Sequence, residues 1–153
     1  QLFWGGVFSN WHIAPFTFNS ITYNCVEQYM MAHKAIISQD LITLGEIMKT
    51  ESPREQKALG RKVKNFNVEK WNAESYGVVF SGNLQKYITH SELRDTLLNT
   101  GDDILVEASP HDRIWGIGYN AKNALENISN WGENRLGKVL MDVRENLKYV
   151  YAG

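Results

Sequence analysis

The stretch of sequence that decides the fold is residues 24–37, which read Asn-Cys-Val-Glu-Gln-Tyr-Met-Met-Ala-His-Lys-Ala-Ile-Ile. Asn24 is followed three residues later by Glu27, a spacing that resembles a capping box and predicts a helix to the end of this stretch. Seven residues at about 100° each return to within about 20° of the starting direction, so Glu27 and Lys34 share one helix face. The residues between them on that face are methionines, so an acid and a lysine flank an otherwise apolar surface.

The pattern alone leaves two interpretations of this charged pair open. In the first, Glu27 and Lys34 lie at the rim of the apolar face, where the acid is solvated and the lysine extends its ammonium into water. In the second, Lys34 is half-buried, loss of solvation lowers its pKa, and its amine is a usable nucleophile near neutral pH. The exposure of the two side chains distinguishes these interpretations.

The segments around this helix predict a mostly helical chain. Ser52 and Pro53 form the clearest start signal, for a helix that runs to about Lys64. Further helices are predicted over 40–49, 68–88, from Ser91 to a stop at Gly101, and over 134–148, where Leu136, Val139, Leu140, Val143 and Leu147 have helical spacing. Short strands are predicted over Phe3–Phe8, Phe16–Phe18, Ile104–Val106 and Ile114–Ile117. We therefore predict one α+β domain over residues 1–153, mostly helical with a small β-sheet.

The composition excludes several classes of protein. Hydrophobic residues make up 43% and charged residues 22%, which is typical of a globular chain rather than a disordered one. Sixteen basic and 17 acidic residues argue against non-specific nucleic-acid coating but allow recognition of a single nucleotide. The apolar runs are too short for a membrane helix, and no signal segment opens the chain. Cys25 is the only cysteine, so an intrachain disulfide is excluded and a cytoplasmic location is expected.

A second region of interest lies between residues 100 and 118. Glu107 ends an apolar strand and is followed by two small residues, so its carboxylate lies either at a solvated strand end or in a cleft. Asp112 precedes Trp115 and Gly116. The indole is either ordinary core or a flat ring that stacks on a ligand while the glycine lets the backbone approach.

A third candidate is the basic series Arg54, Lys57, Arg61 and Lys64, whose spacing keeps these side chains on one side of a helix. Such a series is either a solvated face or a surface that contacts phosphate. The four histidines lie far apart without metal-ligand spacing, so no metal site and no cofactor are predicted.

Five collinear segments resemble the NADAR family, the YbiA-like N-glycosidases. They are Phe8-Ser9-Asn10-Trp11 with Pro15-Phe16, Glu27–Ala35, Thr100-Gly101-Asp102 through Glu107-Ala108-Ser109, Asp112 with Trp115-Gly116-Ile117-Gly118, and Asn134–Gly137 with Leu140–Arg144. The resemblance covers nearly the whole chain, and it departs from the family pattern at Trp11 and at Gly5-Gly6-Val7 before it.

The resemblance implies a YbiA-like fold and hydrolysis of a bond between ribose C1′ and a nitrogen. The substrates it implies are ribosylamine intermediates of riboflavin synthesis or ADP-ribose on guanine, the latter possibly as an adduct on nucleic acid. Lys34 would be the nucleophilic amine that traps the opened ribose as a Schiff base. Glu27 and Glu107 would be the carboxylates that handle protons, with Asp112 as a third acid, and the order of acid and base among them stays open.

The same resemblance, together with residue type, suggests contacts to the substrate. Stacking, phosphate, hydroxyl and backbone contacts are assigned to Ser9, Asn10, Trp11, Arg61, Trp71, Trp115, Gly116 and Asn134. The expected partner is a ribosyl-phosphate or ADP-ribosyl compound, with no membrane partner. One alternative is a non-catalytic module that binds ADP-ribose or a nucleotide, and another is an adaptor domain. A module that only binds its ligand would not require Lys34 beside Glu27.

Overall fold

The computed structural model describes residues 1–151, and these form a mostly helical α+β fold, which confirms the expected fold class. The helices are α1 Val26–Ile37, α2 Leu41–Lys49, α3 Pro53–Gly60, α4 Val68–Thr89, α5 Ser91–Leu98, α6 Ala121–Ala124 and α7 Arg135–Tyr151, with a 3-10 helix over Leu125–Asn130. The strands are β1 Leu2–Phe3, β2 Phe16–Phe18, β3 Ile21–Tyr23 and β4 Val106–Glu107. Within residues 1–151, no helix is both long enough and apolar enough to cross a bilayer.

Contacts along the backbone group the chain into two compact units. The helical unit is Asn10–His90, and the terminal unit joins Gln1–Ser9 to the chain from Ser91 onward. The organisation of residues 1–153 as a single domain stays a prediction.

Helix α1 is the centre of the helical unit and packs against α2, α3 and α4. Every residue of its first two turns, from Val26 to Ala32, is buried. Two glycines on neighbouring helices permit this close packing. A Cβ atom at Gly82 would lie 2.8 Å from the Tyr29 ring, and one at Gly60 would collide with the Met31 sulfur. Helix α1 is therefore held in place by close packing from several sides.

The terminal unit is organised around α7, which packs against α5 and β4. The predicted apolar stripe is confirmed, since all five of its residues are buried: Leu136, Val139, Leu140, Val143 and Leu147. Strand β1 pairs with β4 in parallel, with Leu2 opposite Val106. This pairing positions Glu107 next to Phe3 in register.

Two predicted helix ends are wrong, each for a local reason. Helix α1 is capped at Cys25 without a side-chain hydrogen bond, because the Asn24 side chain is engaged elsewhere. Its amide donates to the Glu51 carbonyl at 2.7 Å and accepts from Gln56 at 3.0 Å. Helix α3 ends at Gly60, so Lys64 is not on that helix and the basic series does not form one stripe.

The strand predicted over Ile114–Ile117 is also wrong. Residues 114–116 form bends, and the carbonyls of residues 114–117 accept hydrogen bonds from the segment that leads into α7 and from its first residues. Arg135 N–H donates to the Ile114 carbonyl at 3.1 Å, and Leu136 N–H donates to the Trp115 carbonyl at 3.0 Å. The first N–H groups of a helix have no acceptor within the helix, and this loop supplies carbonyl acceptors for two of them.

Candidate active site

Helix α1 buries Glu27 and half-buries Lys34. Glu27 is 5% exposed, and its backbone N–H donates to the Asn10 carbonyl at 2.9 Å. The interpretation of Glu27 as a solvated rim residue is therefore wrong. Lys34 has intermediate exposure, so its amine can meet a ligand while part of its hydration is lost. The functional interpretation of the pair stays a prediction.

The surroundings of Lys34 lower the pKa of its amine. Burial is the main cause that lowers the pKa of Lys34; Glu27 opposes this shift, and the positive charge of Arg61 adds to it. Arg61, which the sequence predicts to contact phosphate, is exposed at the C-terminal end of α3. Its charge is close enough to Lys34 to affect the pKa of the amine. The Phe66 ring also lies near, with its centroid 4.5 Å from Lys34 Nζ.

The other predicted ligand contacts of the helical unit differ in exposure. Trp11 is 41% exposed, and Lys57 Nζ lies 6.0 Å from the centroid of its ring, so an aromatic face and a cation are both available there. Trp71 is only 8% exposed. Asn10 is buried, and its side-chain oxygen accepts from Asn83 Nδ2 at 3.2 Å. The roles of these residues in substrate binding stay predictions.

A buried lysine on α4 escaped the sequence analysis. Lys86 is fully buried, and burial lowers its pKa to about 7, while Cys25 opposes that shift. The signal was available in the spacing of α4. Lys86 lies three residues after Asn83 and seven after Val79, so it falls on the stripe that faces the core. Lys86 is fully buried, whereas Lys34 is half-buried, so Lys34 is the lysine of this pair that a ligand can reach without rearrangement.

Lys86 makes the stability of the protein depend on pH. Its folded-state pKa of about 7 lies below its ordinary value of 10.5, so unfolding takes up a proton between these values and stability rises with pH. We expect Lys86 to increase the free energy of unfolding between about pH 7 and 8.5, by at most about 1.4 kcal/mol per pH unit. Denaturant unfolding across this range measures the slope, and Lys86→Met should reduce it.

Lys34, whose pKa is also lowered from 10.5, adds to this slope in the same direction. His12 has a lowered pKa and acts below 6.5, whereas the Cys25 pKa is raised from 9.0 to about 11 and acts above 9.0. Lys70→Met, on the exposed side of α4, is the matched control and should keep the slope. An unchanged slope in Lys86→Met would contradict the assignment.

In the terminal unit, Asn134 connects Glu107 to the backbone around it. The Asn134 Oδ1 accepts from Glu107 N–H at 2.9 Å, and its Nδ2 donates to the Leu105 carbonyl at 2.9 Å. Asn134 adopts a left-handed conformation with φ of 52°, which asparagine tolerates better than most residues. Its amide thus holds the strand that carries Glu107, and contact with a sugar hydroxyl stays a prediction.

Asp112 shapes the loop that carries Trp115. Its Oδ1 accepts two backbone N–H groups, from Ile114 and Trp115, each at 2.9 Å. Trp115 is half-buried, and the Arg135 guanidinium carbon lies 4.9 Å from the centroid of its ring. The two hydrogen bonds make Asp112 an anchor of this loop.

Gly116 is required by close packing. A Cβ atom there would lie 2.9 Å from the Glu107 carbonyl and 3.0 Å from the Asp112 carbonyl. The terminal unit thus brings Glu107, Asp112, Trp115, Gly116 and Asn134 into one connected group. Ser9 belongs to the same unit and is half-buried. Among residues 1–151, no group of three or more His, Cys, Asp or Glu side chains could hold a metal ion.

The chain is similar to known proteins over most of its length. The sequence model of the NADAR domain matches residues 2–148. An N-glycosidase of Acanthamoeba polyphaga mimivirus is 45% identical over 125 residues, covering 80% of this chain and 74% of the viral protein. The riboflavin biosynthesis protein PYRR of Zea mays is 32% identical over 135 residues, which are 82% of this chain but 20% of the plant protein. The NMR structure of the E. coli protein YbiA matches with a TM-score of 0.82 and 28% identity, over 99% of this chain and 86% of YbiA.

Proposed function

Because this chain belongs to the NADAR domain family and is an N-glycosidase, we propose that it hydrolyses the bond between ribose C1′ and a base nitrogen through a Schiff base on Lys34. The observation that carries this proposal is the half-buried Lys34 amine, whose pKa is lowered by burial, on the same helix face as the buried Glu27 carboxylate. An uncharged amine is a nucleophile, whereas an ammonium has no lone pair to share.

The proposed reaction divides one difficult displacement into easier steps. The lone pair of Lys34 Nζ forms a bond to C1′, and the C1′–N bond breaks with its electrons moving to the departing nitrogen, which takes a proton. Lys34 Nζ loses a proton, and its lone pair forms a protonated imine with C1′ as the C1′–O4′ bond breaks. The electrons of that bond move to O4′, which takes a proton. Water adds to C1′ and the amine departs, so the net change is consumption of one water and release of ribose and base.

Glu27 is the proposed proton-handling group beside this amine. Its carboxylate is close enough to raise the Lys34 pKa, so it interacts electrostatically with Lys34 Nζ. We propose that it stabilises the positive charge that develops at C1′ and receives the proton that Lys34 releases. Glu107 stays a proposed second carboxylate. Asp112 accepts hydrogen bonds from two backbone N–H groups, which supports a positioning role for it. Trp115 is the proposed aromatic platform for the substrate.

Two substrate classes are compatible with this chemistry. The name of the Zea mays relative favours a ribosylamine intermediate of riboflavin synthesis. ADP-ribose on guanine is favoured by the exposed Trp11 ring with Lys57 near it and by Arg61, which offer stacking and phosphate contacts. The lone cysteine, buried as a thiol, supports the proposed cytoplasmic location.

Borohydride trapping tests the proposal directly. We expect sodium borohydride, added during turnover of ADP-ribosylated guanosine or of a ribosylaminopyrimidine phosphate, to reduce the imine to a stable ribosyl adduct. Peptide mapping by mass spectrometry should locate this adduct on Lys34. The substrate that yields the adduct identifies the substrate class. An adduct on Lys86, or hydrolysis of either substrate without any adduct, would contradict the Lys34 mechanism, and binding without hydrolysis would favour the non-catalytic alternative.

A further inference from the structure

An exposed aromatic ring lies over the proposed nucleophile. The centroid of the Phe66 ring is 4.5 Å from Lys34 Nζ, within the distance of about 6 Å at which a cation is attracted to a ring face. Phe66 is 41% exposed, so its ring lies at the surface rather than in the core. A large apolar side chain kept at the surface beside an amine calls for a reason.

The backbone on both sides of Phe66 is held in place. Asn65 adopts a left-handed conformation with φ of 60°, and the Lys64 N–H donates to Asp40 Oδ2 at 2.9 Å. On the other side, Asn67 caps α4 by accepting a backbone N–H of its first turn at 3.1 Å. These hydrogen bonds fix the loop that positions the Phe66 ring over the Lys34 amine.

The Phe66 ring can stabilise the Lys34 ammonium in addition to the charged groups around it. Burial and Arg61 disfavour the ammonium, while Glu27 favours it. An aromatic face attracts a cation without carrying a charge or exchanging a proton. It can thus favour every cationic form of Lys34 without competing for protons during the reaction.

We propose that Phe66 is a positioning residue whose ring stabilises the two cationic forms of Lys34, the ammonium of the resting enzyme and the protonated imine of the covalent intermediate. This inference rests on the proposed function, because the second cation exists only if Lys34 forms the Schiff base.

The first test measures the Lys34 amine without substrate. The rate of acetylation by trace acetic anhydride, followed by peptide mass spectrometry across a pH series, gives the pKa of this one lysine. Phe66→Leu should lower that pKa by about 0.5 unit, because a lost cation–π contact favours the neutral amine. Phe66→Tyr keeps a ring and should leave it unchanged. Val68→Ala is the control for truncating an exposed apolar side chain nearby.

The second test measures the reaction. In Phe66→Leu, the midpoint of the acidic limb of kcat/KM should move to lower pH by the same about 0.5 unit, while the borohydride-trapped adduct at steady state falls about threefold. Phe66→Tyr should leave both the midpoint of the acidic limb and the amount of adduct as in wild type. Unchanged acetylation in Phe66→Leu would overturn the inference. So would a shifted acetylation profile with an unshifted limb and an unchanged amount of adduct.

Failure of the proposed function is recognised separately. If wild-type protein turns over substrate and gives no adduct on Lys34, the Schiff base itself is wrong, whatever the acetylation of the Phe66 variants shows. If the adduct forms on Lys34 and the Phe66 variants behave like wild type, only the role of the ring is wrong.

Discussion

Replacing Lys34 with Met is expected to lower kcat/KM on the order of 10³-fold or more, since the variant keeps an apolar chain of similar length but has no amine to attack C1′. Helix α1 should still form, because methionine is a good helix former and Lys34 is only half-buried. Hydrolysis of the two candidate substrates, followed by chromatography of the released base, measures the effect.

Lys34→Arg distinguishes the amine from its charge. Arginine retains a positive charge on this face but does not form an imine, so it should be as inactive as Lys34→Met. Lys62→Met, which changes an exposed lysine after α3, should turn over like wild type. Both Lys34 variants should still bind ADP-ribose or the ribosylamine. Retention of activity within tenfold of wild type in Lys34→Met would exclude this residue as the nucleophile.

Replacing Gly137 with Ala is expected to destabilise the protein by about 2–4 kcal/mol, the largest effect on folding that we predict. A Cβ atom at Gly137 would collide with the Leu105 carbonyl and with the side-chain amide of Asn134. One of these partners is backbone and the other makes two hydrogen bonds to β4 and its neighbour, so neither can move freely. Thermal unfolding followed by circular dichroism measures the change.

Gly77→Ala is the matched control for this effect. Gly77 also lies inside a helix, α4, but a Cβ atom there meets nothing within 4 Å. Alanine at this position should stabilise the protein by about 0.5–1 kcal/mol, because it improves helix propensity without a clash. If Gly137→Ala also stabilised the protein, the contact between α7 and the residue before β4 would be less close than described.

The two glycines explain why part of this protein could not be predicted from sequence. Both have the same helix-disfavouring chemistry, and the residues around them in the chain carry no mark of the difference. The difference arises from Leu105, which precedes Gly137 by 32 positions and meets it only in the fold. Contacts of this kind depend on how elements pack, and the local pattern holds no information about that packing.

The face shared by Glu27 and Lys34, the apolar stripe of α7 and the Ser52 cap of α3 were determined by sequence alone. Each follows from the regular geometry of a helix, in which spacing along the chain fixes direction in space. Only the tertiary structure decided that Glu27 is buried, that Lys86 is an enclosed amine, and that Phe66 covers Lys34. The reason is that burial and desolvation come from residues distant in the chain, and these lower the pKa of an amine whose position on the helix the spacing had already determined.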